Sequence, residues 1–254
     1  MFEKNDPPVF FTQIQEEHPA DAIATVKDAI RRGTDVVGFQ MCVLRPEYRT
    51  ERDIRSVIGA AGETPVYLTD YKRFDKWGTF SWEEKRDELL MGAACGAALI
   101  DIPGNMFSGD DFEWTDDPAA AGKQKELIAQ IHRGGGKVLI STHILQFTPQ
   151  NEVLELALAQ QDRGADVVKI VTACDTNDEL LQTLATTQAL QDALEKPFIF
   201  LSSGEKGRYH RLIGPYFGAC AWLCAPKYGK YDTAAQPLLE TAIRSNAIFS
   251  NGNA

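Results

Sequence analysis

Two stretches of this sequence carry the residues best suited to chemistry. One reads Lys137-Val-Leu-Ile-Ser-Thr-His143, the other Ala165-Asp-Val-Val-Lys-Ile-Val171. Both are short apolar, β-branched runs entered from a glycine turn, Gly134-Gly135-Gly136 in one case and Gly164 in the other. Each leads into residues that start helices, Thr148-Pro149 and Asp175-Thr176. Alternation along a strand puts Leu139, Ser141 and His143 on one face, and Val167, Lys169 and Val171 on one face. Burying an ammonium such as that of Lys169 is costly unless it is paired or neutral. Lysines desolvated in this way become nucleophiles or bases. A neutral lysine attacks a ketone and forms an iminium, an electron sink that acidifies the neighbouring carbon. A histidine nearby can take that proton and return it to a leaving hydroxyl. The bland alternatives are a strand-edge lysine whose head reaches solvent and a hydrogen-bonded structural histidine. Their matching places in successive strands favour a shared site.

To bring His143 and Lys169 together, the rest of the chain must form a sheet. Apolar patterning predicts strands at Val9–Ile14, Asp35–Val43, Pro65–Thr69, Ala97–Ile102, Lys137–His143, Ala165–Val171, Pro197–Ser202 and Cys220–Ala225. Helices are predicted at His18–Arg32, Arg52–Ala61, from Ser81 to a stop at Gly96, and at Pro118–Arg133, Pro149–Arg163, Thr176–Leu194, Gly207–Phe217 and Ala234–Asn246. A long loop, Asp70 to Phe80, and a polar, acidic one, Gly104 to Asp117, separate some of them. Strands that are continuously apolar belong to a parallel sheet covered on its outer face. Eight such units in 254 residues predict one α/β domain over residues 1–254, a (β/α)8 TIM barrel. An open doubly wound sheet is the alternative. No Gly-x-Gly-x-x-Gly or P-loop motif accompanies it, and Gly134–Gly136 precedes a strand, as a helix stop does.

A barrel collects its chemistry at the carboxyl ends of its strands. There lie Gln40, Cys42, Thr69, Asp70, Asp101, His143, Lys169, Ser202 and Ser203. Net charge is −10, which argues against nucleic acid or an anionic membrane as partner. An anionic substrate would then need a local cation, and Arg211 is the candidate, with Gln236 at the start of the last predicted helix. His132 and His210 read as solvated. A metal site would need more ligands than Asp101, His143 and Asp70 offer. No apolar run is long enough to span a bilayer, and the first residues lack the pattern of a signal peptide. The five cysteines, Cys42, Cys95, Cys174, Cys220 and Cys224, are scattered and odd in number. They read as reduced, mostly buried thiols of a cytoplasmic protein.

From Lys137 to Gln236 the sequence resembles the type I 3-dehydroquinate dehydratase family. Val138-Leu-Ile-Ser-Thr-His-Ile-Leu-Gln-Phe-Thr-Pro149 is similar to the family's strand with its catalytic histidine and Thr-Pro helix start. Gly164 to Val171 is similar to its Schiff-base lysine strand, and Arg211-Leu212 to its carboxylate-binding arginine. Gln236 matches a loop glutamine, and Asp232 or Thr233 falls near a serine. The resemblance implies the same barrel, no metal or organic cofactor, and a homodimer. It implies that Lys169 condenses with the ketone of 3-dehydroquinate while His143 expels water, giving 3-dehydroshikimate in shikimate-pathway or quinate metabolism. The first half departs from the family. Gly38 and Gln40 stand where a Glu-x-Arg pair reads substrate hydroxyls, and Ser203 stands where methionine is usual. Tyr71 or Asp70 falls in place of an arginine, with Lys72 and Arg73 adjacent, and Asp75 corresponds to the glutamate near the histidine. The short N-terminus leaves little room for the hairpin that often closes the barrel bottom. Gly38 and Gln40 keep two other readings open. One is a related Schiff-base dehydratase or aldolase acting on a different small keto acid; the other is a non-catalytic small-acid-binding homologue. The His143–Lys169 pair favours an enzyme.

Overall fold

The computed structural model describes residues 2–250. Its strands are β1 (Val9–Ile14), β2 (Val36–Gln40), β3 (Val66–Thr69), β4 (Leu99–Pro103), β5 (Lys137–His143), β6 (Val167–Ala173), β7 (Phe198–Ser203) and β8 (Ala221–Cys224). Its helices are α1 (Pro19–Arg31), α2 (Glu51–Gly59), α3 (Trp82–Ala94), α4 (Pro118–Arg133), α5 (Gln150–Arg163), α6 (Asn177–Ala193), α7 (Gly207–Ile213) and α8 (Leu239–Ser250). Every paired strand is parallel, in the order β7-β6-β5-β4-β3-β2-β1-β8. Cys220 N donates to Phe198 O at 2.8 Å, joining the last pair and closing the (β/α)8 barrel expected from the strand pattern. Among the described residues no helix is long and apolar enough to cross a membrane.

Period-two alternation fills the barrel. Phe11, Val36, Tyr67, Leu99, Leu139, Val167, Ile199 and Ala221, one from each strand, pack in its interior. Their neighbours in sequence, such as Val37, Leu68, Ile100, Ile140 and Val168, pack in the layer between strands and helices. Phe2 meets Phe11 edge to face at 5.6 Å, so the short N-terminal segment itself joins the barrel core.

Two features of these elements bear on function, the first a departure from expectation. The last helix starts at Leu239, not Ala234, because the end of β8 captures the preceding chain: Ala225 N donates to Pro237 O at 2.9 Å and Leu239 N to Ala225 O at 3.0 Å. Gln236 therefore sits in a loop over the barrel mouth. The second concerns α3. A Ser81–Glu84 capping box starts it, and its buried face includes Lys85, fully enclosed. Lys85 Nζ donates to Asp70 Oδ1 at 2.8 Å, Asp75 Oδ2 at 2.9 Å and Glu88 Oε2 at 2.8 Å, and Arg49 Nη1 reaches Asp75 Oδ2 at 2.6 Å. Burial, with Glu88 beside it, holds the Asp70 carboxyl well above the usual range. This network pins both ends of the Asp70–Asp75 segment, which carries Tyr71 and Phe74 over the mouth.

Candidate active site

Lys169 lies at the floor of the mouth, 2% exposed. In the β5–β6 register it stands opposite Ser141, while His143 pairs with Val171 one inward step nearer the opening. Lys169 Nζ donates to Tyr71 Oη at 2.5 Å, Tyr67 Oη at 2.9 Å and Asp101 Oδ2 at 3.1 Å. Asp101 is fully buried and accepts from Ser141 Oγ at 2.6 Å and from the hydroxyls of both tyrosines. Burial, then the Asp101 charge, pushes both phenols well above their ordinary pKa, so they remain protonated donors. Lys169 is thus a paired lysine in a polar cage within an apolar barrel. Tyr67 was within reach of strand parity, since it faces inward from β3. Tyr71, in a loop, was not.

His143 is held by Glu113. Its Nδ1 lies 2.9 Å from Glu113 Oε2, and its backbone N donates to the same oxygen at 3.1 Å. Glu113 comes from the Gly104–Asp117 loop, which folds back over the end of β5. Glycine is required where that loop turns in: a Cβ on Gly104 would lie 2.6 Å from Glu113 O. Thr142 Oγ1 donates to Glu113 O at 2.8 Å, and Gln124 Nε2 donates to Gly104 O at 3.0 Å and Met106 O at 2.9 Å. With Nδ1 directed at the carboxylate, Nε2 is the nitrogen left for substrate. The rings of Tyr71 and Phe74 meet the imidazole edge-on at 5.1 and 5.5 Å. Asp75, the expected partner of the histidine, is corrected here. It is consumed in the Lys85–Arg49 network and Glu113 takes its place. No spacing rule marks Glu113 among its acidic loop neighbours.

These groups open on a cavity of about 340 Å3. Arg211, from α7, is 5% exposed, and its Nε donates to Ser202 O at 2.7 Å. Among the described residues no carboxylate pairs with it, and desolvation lowers its pKa to about 10. It remains a cation, aimed into the cavity without a counter-ion. Gln236 is 4% exposed, and its Nε2 has no hydrogen-bond partner. Thr233, Ser203 and Gln40 line the same cavity. Ser203 Oγ is occupied with Thr172 O at 3.0 Å, and Gln40 Oε1 accepts from Gln15 Nε2 at 2.7 Å. Asp232 lies next door, lining an adjoining pocket with Glu16 and Glu17 and accepting from Gly229 N at 2.7 Å.

Two residues absent from the sequence reading complete the wall. A Cβ on Gly38 would sit 2.7 Å from Gln13 Oε1, so the Gln13 amide occupies the space above Gly38. Gln13 is 6% exposed; its Oε1, like that of Gln15, is buried without a partner. Strand parity with Phe11 marks Gln13 as inward-facing. His210 is a further correction. It is fully buried, with Nδ1 2.8 Å from Ser202 Oγ and Nε2 3.0 Å from Thr187 Oγ1, and burial lowers its pKa to about 3. Arg208 and Tyr209 before it face outward, while its own side chain lies against Ser202 of β7.

A family model described as type I 3-dehydroquinase matches residues 10–237. The 3-dehydroquinate dehydratase of Alkaliphilus oremlandii is 35% identical over 97 residues, which span 37% of this chain and only 38% of that protein. That of Salmonella agona is 27% identical over 181 residues, 68% of each chain. Among solved structures, a type I 3-dehydroquinate dehydratase from Clostridium difficile, carrying covalently modified comenic acid, superposes with a TM-score of 0.85. The two share 16% identity over 99% of this chain and 96% of that one, a likeness of fold.

Proposed function

The chain belongs to the type I 3-dehydroquinase family, and on that premise we propose that it is a 3-dehydroquinate dehydratase, a carbon–oxygen lyase working through a Schiff base on Lys169. The amine of Lys169 condenses with the substrate ketone. The iminium draws electron density from the adjacent carbon, and His143 Nε2 removes a proton there. The same nitrogen then protonates the hydroxyl that leaves as water, and hydrolysis of the iminium frees 3-dehydroshikimate. Glu113 holds the imidazole in the tautomer this requires. Arg211 takes the substrate carboxylate with Gln236 Nε2 as a second donor, while the oxygens of Gln13 and Gln15 accept substrate hydroxyls. These roles call on no metal or organic cofactor. The same reading places the enzyme in the cytoplasm, where its five unpaired thiols stay reduced, as a homodimer. Cell fractionation and light scattering test those two points.

The observation that carries the reading is one cavity uniting the buried Lys169 amine, a carboxylate-held histidine and a buried guanidinium without a counter-ion. Incubation with 3-dehydroquinate and borohydride should leave an adduct on Lys169 by mass spectrometry, and Lys169→Ala should show neither adduct nor turnover. An adduct on another lysine would sink the assignment. The neutral amide wall of Gln13, Gln15 and Gln40 around Gly38 favours one second reading, the same chemistry on a different small keto acid. Trapping by another keto acid, with none by 3-dehydroquinate, would establish it.

A further inference from the structure

Schiff-base formation moves protons at two atoms besides the carbon that His143 serves. The nitrogen must shed a proton as it adds to the ketone, and the former carbonyl oxygen must gain two before it leaves as water. His143 has one nitrogen engaged with Glu113 and the other assigned to the substrate carbon. Ser141 Oγ donates to Asp101, and the Asp101 carboxylate is already met by three hydroxyls. Two phenols are within hydrogen-bond distance of Lys169 Nζ. Tyr67 is fully buried beneath it and does not line the cavity. Tyr71 does line it, its hydroxyl 2.5 Å from Nζ and its ring against His143. This argument rests on the Schiff-base reading above. We propose that Tyr71 is a catalytic acid–base, carrying protons between the Lys169 nitrogen and the substrate's ketone oxygen.

Starting from the neutral amine, after the ammonium proton has passed to solvent, the steps balance without a further reagent. As the C–N bond forms, the C=O π pair moves to oxygen. That oxygen takes the Tyr71 proton while the phenolate receives the one shed by nitrogen, giving a neutral carbinolamine. The nitrogen lone pair then forms the C=N bond, the C–O bond breaks, and the departing hydroxyl takes the Tyr71 proton as water. The phenolate stays beside the iminium cation until hydrolysis. Water then adds to the iminium carbon, returns a proton to the phenolate, and the first step runs backward. The high phenol pKa, caused by burial and Asp101, keeps Tyr71 loaded as an acid before substrate arrives. The ion network that pins both ends of its loop holds Tyr71 in this position.

The test is a rapid-quench borohydride time course with 3-dehydroquinate, comparing wild type with Tyr71→Phe, which keeps the ring. The rate of adduct formation on Lys169 should fall by about 10²-fold or more. Substrate affinity, read by calorimetry with and without Tyr71→Phe in a Lys169→Met background, should stay within about threefold. An adduct rate within threefold of wild type overturns the proposal, and so does equal loss of rate and affinity, which marks a structural role. Tyr71→3-fluorotyrosine keeps the hydroxyl but makes it more acidic. Adduct formation should persist, with its pH dependence moved to lower pH, in a phenol surrounded by Lys169, Asp101, Tyr67 and His143; an unmoved profile overturns the assignment. Absence of any adduct in wild type would instead refute the Schiff-base reading itself.

Discussion

Replacing Arg211 by methionine separates what its charge does to the fold from what it does for binding. The guanidinium is 5% exposed and its pKa is lowered from 12.5 to about 10 by desolvation. That drop corresponds to about 3 kcal/mol of desolvation carried by the cation. Arg211→Met removes this cost but also the hydrogen bond to Ser202 O, worth about 0.5–1.5 kcal/mol. The unliganded variant should therefore be more stable than wild type, by about 1.5–2.5 kcal/mol in urea denaturation. Binding should move the other way. A substrate carboxylate that loses its buried partner binds more weakly by about 2–5 kcal/mol, roughly 30- to 5,000-fold. The contact is made in ground and transition states alike, so the loss should fall mainly on KM. Calorimetry in a Lys169→Met background isolates non-covalent binding, and steady-state kinetics supplies kcat and KM. Binding within threefold of the parent removes Arg211 from the site. Destabilisation beyond about 2 kcal/mol would show that its tie to β7 outweighs its desolvation, refuting the picture of a strained cation awaiting an anion.

Glu113→Gln replaces the carboxylate at His143 Nδ1 with an amide; turnover should fall by about 10²–10⁴-fold while the trapped adduct on Lys169 persists, and loss of the adduct would contradict the division of labour. Gly38→Glu/Gln40→Arg places a side chain where the Gln13 amide now lies, 2.7 Å from Cβ, so the Gln13 side chain must move for the new pair to face the cavity. The double variant should gain activity on 3-dehydroquinate only when Gln13→Ala is added; improvement by the double variant alone would show that Gln13 swings clear. Burial depresses His210 to about 3, so an unfolded chain binds a proton the native fold refuses. Stability from this group is complete above about pH 6.5 and falls by about 1.4 kcal/mol per pH unit as pH drops toward 3. Urea midpoints of His210→Asn from about pH 6 to 4.5 should lack that component, and an identical slope would contradict the burial argument.

Local pattern carried much of this molecule. β1, β5 and α4 begin and end where apolar periodicity and the Pro118 start put them, and the barrel follows from eight continuous apolar strands. The inward positions of Lys169 and His143 are equally local, because alternation along a strand leaves a side chain two faces and one is the barrel interior. The expectation of mostly buried cysteines holds for four of the five.

What surrounds those two residues was settled by tertiary structure. Glu113, Tyr71, Gln13 and Gln236 reach the site from segments whose paths depend on distant partners: Gln124 on α4, Lys85 on α3, Gly38 across the β1–β2 ladder, and Ala225 at the end of β8. Asp75 was misplaced because a carboxylate in a loop has no period to declare its direction, and Lys85 and Arg49 claimed it first. His210 was misread because its neighbours are polar, whereas α7 turns both His210 and the adjacent Arg211 away from solvent. Residue types and alternation determine which side chains can do chemistry and which way a strand points them. Only the packing of loops against the barrel mouth, through hydrogen bonds spanning long sequence separations, decides which partners they meet.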